Sequence, residues 1–150
     1  MKKALFAAVV GIFTLTVSGA VLAQAKPETL VKQRQAAMTL QGKYFGPMGG
    51  MAQGKIPYNA DVVKRNTAYL DALSHMPWDG FTAGTQDIKS KTRPAAYSDA
   101  AKFKEAQDRF TGEVTKLVTT VAGGNEASIK TQINAVAKSC GGCHDDFRDK

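Results

Sequence analysis

The side chains best suited to chemistry lie together near the C-terminus, where Cys140, Cys143 and His144 occur within five positions. Cys-x-x-Cys-His is the pattern typical of the covalent attachment of c-type haem. Two cysteines three positions apart on a helix share a face, so each thiol can add to one vinyl group of the same haem, while the adjacent histidine ligates the iron. Gly141 and Gly142 let a porphyrin edge approach the backbone closely. The motif therefore predicts one haem c, attached through two thioethers, with His144 as an axial ligand of the iron.

A cysteine pair of this spacing has three other common uses. A thioredoxin-like redox pair normally follows a strand, whereas this pair lies in the last turns of a terminal helical segment. A structural zinc site needs about four ligands, and the chain offers only Cys140, Cys143, His144 and the distant His75. A structural disulfide leaves His144 unexplained. His75 lies near the end of a helical segment, where a solvated histidine favoured by the helix dipole is more typical than a second ligand of the iron.

The N-terminus has the pattern of a secretory signal peptide. Two lysines precede an apolar run over residues 4–17, and Val21-Leu22-Ala23 supplies the compact residues that a signal peptidase reads. An uncleaved membrane anchor is the alternative, but no basic cluster follows the run directly. We expect residues 1–23 to be a cleaved signal peptide and residues 24–150 to form the mature domain in the periplasm, with no membrane association after cleavage.

The charge balance indicates the class of partner. The chain has 20 basic and 13 acidic side chains, and loss of Lys2 and Lys3 with the signal peptide leaves a net charge of +5. A modest basic excess favours acidic partners through long-range electrostatic steering. The basic residues are scattered and are not interleaved with aromatic residues, so the sequence does not predict nucleic-acid binding.

Apolar residues recur with a helical period along the whole mature chain. Four segments are predicted to be helices. The first begins at Pro27 and ends before Gly46-Pro47. The second is capped by Asn59, the third by Ser98 and the fourth by Asn125. Residues 77–97 show no sustained period, and a structureless loop of that length is uncommon in a small domain, so this segment is expected to lie against the helices.

The apolar faces of these helices define a predicted core. Arg34 and Met38 share a stripe of the first helix, and the residues expected to be buried on the others are Val62, Val63, Tyr69, Leu70, Leu73, Met76, Phe103, Phe110, Val114, Leu117, Val118, Val121, Ile129, Ile133, Val136 and Phe147. Amphipathic helices joined by short links predict an all-α fold, an antiparallel four-helix bundle. Such bundles hold cofactors between facing helices, which places the haem in the core near the C-terminal helix.

Beyond the haem motif, the mature chain resembles the cytochrome c′ family, the class II c-type cytochromes. The resemblance is carried by Arg34-Gln35 with Met38, by residues 45–48 and 54–58, by Leu73, Pro77-Trp78, Phe81 and Arg93-Pro94, and by residues 140–148. The haem motif of this chain is at the extreme C-terminus, as in class II cytochromes. Class I cytochromes carry their motif near the N-terminus.

The resemblance implies a role for several residues. His144 would be the proximal ligand, Met38 would lie over the distal face of the iron, and Arg34 and Gln35 would contact the haem propionates. Arg148 would lie near the proximal face. The resemblance also implies a homodimer formed through the first two helices.

Further residues are expected beside the haem. Phe81 and Trp78 are predicted to wall the pocket, and the run from Lys91 to Arg93 is predicted to lie along the haem edge.

Two functions follow from this resemblance. In the first, a five-coordinate, high-spin iron binds small gases such as nitric oxide and carbon monoxide, and also exchanges electrons with a redox partner protein. In the second, the Met38 thioether ligates the iron, which suits a low-spin electron carrier. An enzyme is not predicted, because no distal histidine and arginine pair for splitting an O–O bond is evident.

Overall fold

The computed structural model describes residues 25–150, so the predicted signal peptide, residues 1–23, lies outside the described part of the chain. This part folds into five α-helices: α1 (Pro27–Ala52), α2 (Ala60–Ser74), α3 (Ala95–Ser98), α4 (Ala100–Ala122) and α5 (Glu126–Phe147). Between residues 25 and 150 there is no β-strand, and the single β-type pairing is a bridge between Thr92 and Arg148.

The four long helices form a bundle. α1 packs against α2 and α5, and α4 packs against the same two helices, which closes the bundle around one core. Each fully buried apolar side chain contributes about 1.5–3 kcal/mol relative to an exposed one. The core residues are Met48, Met51, Val63, Leu70, Phe110, Val114, Leu117, Ile129, Ile133 and Val136. The predicted all-α, antiparallel four-helix bundle is confirmed.

The predicted end of the first helix is wrong, because α1 continues through Pro47. A proline inside a helix removes one backbone hydrogen bond and costs about 3 kcal/mol or more. Two contacts offset that cost. Asn66 Nδ2 of α2 donates to the Tyr44 carbonyl at 3.0 Å, and Met48 and Met51, beyond the proline, are buried in the core. Burial therefore overrides the local helix-breaking signal.

Two of the three predicted caps are confirmed. The side chains of Asn59 and Asn125 accept hydrogen bonds from the backbone N–H three residues later, each at 2.9 Å. The third cap is wrong by one position. Ser98 closes the short helix α3, and the Asp99 carboxylate caps α4 by accepting from Lys102 N at 3.1 Å.

The segment between α2 and α4 lies against the bundle, as predicted. It contains two short 3-10 helices, Trp78–Gly80 and Ala83–Thr85, that contact α1. Its far end pairs with the C-terminus of the chain, where Arg93 N donates to the Phe147 carbonyl at 2.9 Å and Asp149 N donates to the Lys91 carbonyl at 2.8 Å. The segment therefore connects α1 to the end of α5.

Three residues of the predicted core are exposed instead. Tyr69, Met76 and Val118 keep 45%, 55% and 38% of their surface accessible. Tyr69 and Val118 lie at the border of an apolar stripe, where a small rotation of the helix decides between core and solvent. Met76 lies beyond the end of α2, whose C-cap is His75. None of the helices within residues 25–150 has the length and apolarity needed to cross a membrane.

Candidate functional site

A cavity of about 700 Å³ opens between α1, α5 and the segment that follows α2. A volume of this size is typical of small-molecule and cofactor sites, which measure about 300–1,000 Å³. The structure brings to its wall these ten residues singled out from the sequence: Arg34, Gln35, Met38, Trp78, Phe81, Lys91, Cys140, Cys143, His144 and Arg148. Residues more than a hundred positions apart thus meet in one site.

Cys140 and Cys143 face this cavity from the same side of α5, and their thiols are not joined in a disulfide. Burial raises the pKa of Cys140 to about 11, with a further contribution from the neighbouring Cys143. Burial also raises the pKa of Cys143, and the Asp146 carboxylate adds to the effect. Cysteines of redox pairs have lowered pKa values, so this environment does not fit thioredoxin-like exchange.

His144 lies where the cavity meets a second, more polar one of about 430 Å³ that Arg93, Asp149 and Lys150 also line. Partial burial lowers the pKa of His144, and the Arg148 guanidinium lowers it further against the opposing effect of Asp145. A lowered pKa favours the neutral imidazole, the form that binds a metal ion.

Zinc and a second histidine ligand find no support in the geometry. Within residues 25–150 no cluster of three or more histidine, cysteine or acidic side chains is arranged to hold a metal ion. His75 follows α2 as its C-terminal cap, is exposed, and does not line the cavity.

Arg34 is the most buried charged residue of the site, with 2% of its surface accessible. Its guanidinium stacks over the Phe81 ring at 4.3 Å. It donates five hydrogen bonds, all to neutral oxygens: the Gly80 carbonyl at 2.6 Å and the hydroxyls of Thr85, Tyr97, Ser90 and Thr92 at 2.9–3.2 Å. These acceptors all belong to the segment after α2. An arginine in this helical position is ordinarily exposed, and the segment that covers α1 is what buries it.

Gly80 makes this close approach feasible. A Cβ at this position would lie 2.9 Å from Arg34 Cβ and 3.0 Å from the Leu30 carbonyl oxygen. Only a residue without a side chain fits so near the helix. The glycine therefore sets the distance between α1 and the segment that holds Arg34.

The rest of the wall is largely apolar. Met38 and Phe81 are partly buried, and Phe81 stacks at 4.9 Å on Phe103, which contacts Phe147 at 5.0 Å. Trp78 lies edge-on to Phe110 at 6.2 Å and donates its indole N–H to the Ser74 carbonyl at 2.7 Å. An aromatic wall of this kind excludes water from the interior of the cavity.

Three lining residues lie outside both the predicted site and the predicted helix faces: Thr39, Gly42 and Ser90. The helical period supplies a signal for the first two, because Thr39 follows Gln35 and Gly42 follows Met38 by one turn. Ser90 lies in an irregular segment, where no periodicity marks a face.

The donor set fits a covalently held haem. Two free thiols, one imidazole, an aromatic wall and a buried cation that has no carboxylate partner within residues 25–150 line the same cavity. These are the groups needed for two thioether bonds, one axial bond to iron and one contact with an anionic substituent.

Comparison with known proteins agrees with this chemistry. A family model described as Cytochrome C′ matches residues 29–148. A cytochrome c′ from Halomonas halodenitrificans is 41% identical over 130 residues, which cover 83% of this chain and 98% of the relative.

Solved structures extend the similarity to the fold. A nitric oxide complex of a cytochrome c prime variant from Alcaligenes xylosoxidans superposes with a TM-score of 0.78 at 38% identity, covering 85% of this chain and 98% of the other. A carbon monoxide-bound variant from the same organism gives a TM-score of 0.77 at 39% identity, covering 84% and 98%.

Proposed function

Because the chain belongs to the cytochrome c′ family, we propose that it is an exported, periplasmic haem protein whose iron binds nitric oxide and carbon monoxide. One haem c is attached through Cys140 and Cys143 and ligated by His144. The observation that carries the proposal is the single cavity onto which both thiols, this imidazole and a mainly aromatic wall converge. The relatives solved with nitric oxide and with carbon monoxide support the choice of ligand.

When bound, the haem would supply an iron that can take up a small gas. His144 would hold this iron through a neutral imidazole nitrogen, the form that its lowered pKa favours. Arg34 and Gln35 bind the propionates. Lys91 lies beside the haem edge, and Arg148 lies beside the proximal ligand, where its charge adds to the effect of burial in lowering the pKa of His144.

The lining selects the gas ligand. Among the described residues that line the cavity, His144 is the one histidine, and the aromatic wall and Met38 offer no hydrogen bond to a polar molecule. On the aromatic side of the cavity, around Met38 and Phe81, water and anions lose their hydration without compensation, whereas nitric oxide and carbon monoxide lose little. Phe81 and Met38 would therefore exclude water from the iron.

Met38 supports one alternative. Its thioether lines the same cavity, and methionine ligation raises the reduction potential of a haem. The protein would then be a six-coordinate, low-spin electron carrier that docks on a redox partner protein. We propose no catalytic activity, and a peroxidase assay provides the check.

Absorption spectra of the oxidised and reduced protein, with and without carbon monoxide, test the proposal. The protein must be made in a host that matures c-type cytochromes. A high-spin reduced spectrum that shifts with carbon monoxide is expected. A sharp low-spin spectrum that does not respond to the gas would assign Met38 as a ligand and favour the electron carrier. No covalent haem would contradict both functions.

A further inference from the structure

The hydroxyl groups that hold Arg34 have a fixed polarity. Ser90 Oγ accepts two hydrogen bonds, from Arg34 Nη2 at 3.2 Å and from Thr92 N at 3.3 Å. A serine oxygen has two lone pairs, so both are used. Ser90 therefore retains only its proton for a further partner.

Thr92 is held by one such bond. Its Oγ1 accepts from Arg34 Nη2 at 3.2 Å. Among residues 25–150 no acceptor receives the hydroxyl proton of either Ser90 or Thr92. Both side chains line the cavity, on either side of Lys91. Their protons are thus available on the cavity wall.

The edge of the cavity that is formed by Arg34, Ser90, Lys91 and Thr92 is positively charged. Arg34 has no carboxylate partner among the described residues, and its hydrogen bonds all end on neutral oxygens. Buried charges in proteins are normally paired. A buried guanidinium, two hydroxyl donors aligned by it and a lysine therefore form one edge that is complementary to an anion.

We propose that Ser90 and Thr92 are carboxylate-binding residues, which donate their hydroxyl protons to a haem propionate and act with Arg34 as one anion site. This inference rests on the proposed haem attachment and adds two residues to it. Arg34 has two functions here. It supplies the positive charge, and by donating to one lone pair of each hydroxyl oxygen it favours an orientation in which both hydroxyl protons are donated to the carboxylate.

The test compares two variants of the haem-loaded full chain by resonance Raman spectroscopy, because the propionate bending mode reports hydrogen bonding to the carboxylate. Removal of both donors in S90A/T92V is expected to shift this mode and to lower the midpoint potential. The potential falls because a carboxylate with fewer donors exerts more of its negative charge on the iron and stabilises the oxidised state.

Thr85→Val is the matched control. Thr85 also accepts from Arg34, at 3.0 Å, but it is fully buried and does not line the cavity. If the hydroxyls merely hold Arg34 in place, T85V will shift the mode as much as S90A/T92V does. The proposal is overturned by that result, or by an unchanged mode in a folded S90A/T92V protein. Wild-type protein without covalent haem would contradict the proposed function instead.

The two single variants keep the test valid if the double variant does not fold. S90A and T92V are each expected to give a shift in the same direction and smaller than that of the double variant. An unchanged mode in both folded single variants overturns the proposal as well.

Discussion

At the scale of the residue, Met38 decides between the two functions proposed for the haem. It lines the cavity from α1 and is only partly buried. In the proposed haem protein, a thioether in this place would either block the open position of the iron or ligate it, and both roles would end when the side chain is shortened.

If the wild-type iron is high-spin, we expect Met38→Ala to speed carbon monoxide binding roughly tenfold. A tenfold faster rate corresponds to an activation free energy of binding that is lower by ~1.4 kcal/mol. If the wild-type iron is low-spin, the same change should give a high-spin spectrum. Flash photolysis and absorption spectroscopy measure the two outcomes. Met76→Ala is the control, because this methionine is 55% exposed and lies outside the cavity. Identical kinetics and spectra in M38A would remove Met38 from the distal side.

At position 80 the packing requires a residue without a side chain. The missing side chain of Gly80 lets the segment after α2 approach Arg34 and α1. Gly80→Ala is expected to destabilise the protein by about 1–3 kcal/mol, because the added methyl group would clash with the helix backbone and the arginine stem.

Urea unfolding of the haem-loaded protein measures this loss. Gly84→Ala is the control in the same segment, since its added Cβ would meet nothing nearer than Pro27 Cγ at 3.9 Å. Equal stability losses in G80A and G84A would show that the close contact with α1 has no energetic importance.

At the scale of the element, Glu113 links α4 to α5. Its carboxylate accepts from Gln132 Nε2 of α5 at 2.7 Å and from Lys116 Nζ at 2.8 Å. These two hydrogen bonds lower the pKa of Glu113. A carboxyl group whose pKa is lower in the folded state stabilises the fold above its unfolded pKa, and that contribution disappears as the pH falls through the folded value.

Glu113→Gln should therefore lower the free energy of unfolding by roughly 0.5–1 kcal/mol at pH 7, as is usual for a partly exposed ion pair. The difference from the wild type should shrink as the pH falls below about 4.5. Denaturant unfolding at a series of pH values measures it. Glu105→Gln removes an ion pair within α4 alone and is the control, with a smaller expected loss. A pH-independent difference for E113Q would contradict the linkage.

The segment between α2 and α4 shows the limit of prediction at this scale. The length of residues 77–97 indicated that it packs on the bundle. The turns that it forms, and the hydroxyls that it brings to Arg34, depend on contacts with α1 and with the end of α5. No local pattern encodes such contacts, because the partners are more than fifty residues away in the chain.

At the scale of the whole molecule, the outer face of α1 and α2 carries an apolar patch. Leu40 and Tyr69 are 40% and 45% exposed, and Tyr44, one turn after Leu40, stacks on Tyr69 at 4.7 Å. Leu40 and Tyr44 share a face of α1 because they are four residues apart, and an apolar patch of this kind is typical of a protein interface. We propose that the homodimer forms through this face.

Leu40→Glu is expected to weaken the dimer at least tenfold, or ~1.4 kcal/mol, because a carboxylate would be buried without a partner. Sedimentation velocity over a range of protein concentrations measures the association. Val118→Glu, an exposed apolar position on α4, should leave the association unchanged. A wild-type protein that is monomeric at all concentrations, or equal effects of the two variants, would exclude this face as the interface.

The sequence alone determined the helical fold, the haem motif and two of the caps, because these depend on the local spacing of residues. A helical period exposes one face, and Cys140, Cys143 and His144 are close enough for one turn to bring them together. The same locality explains the cap at Asn59, whose partner is three residues away.

Only the tertiary structure decided how far α1 extends, why Arg34 is buried and which hydroxyls surround it. Local rules predict that Pro47 ends the helix, yet α1 continues beyond it because the residues that follow are buried and α2 donates a hydrogen bond to it. Ser90 and Thr92 reach the site because the segment folds back over α1 at Gly80. These features are stabilised by contacts between elements that are distant in the chain, and local sequence patterns do not reveal such contacts.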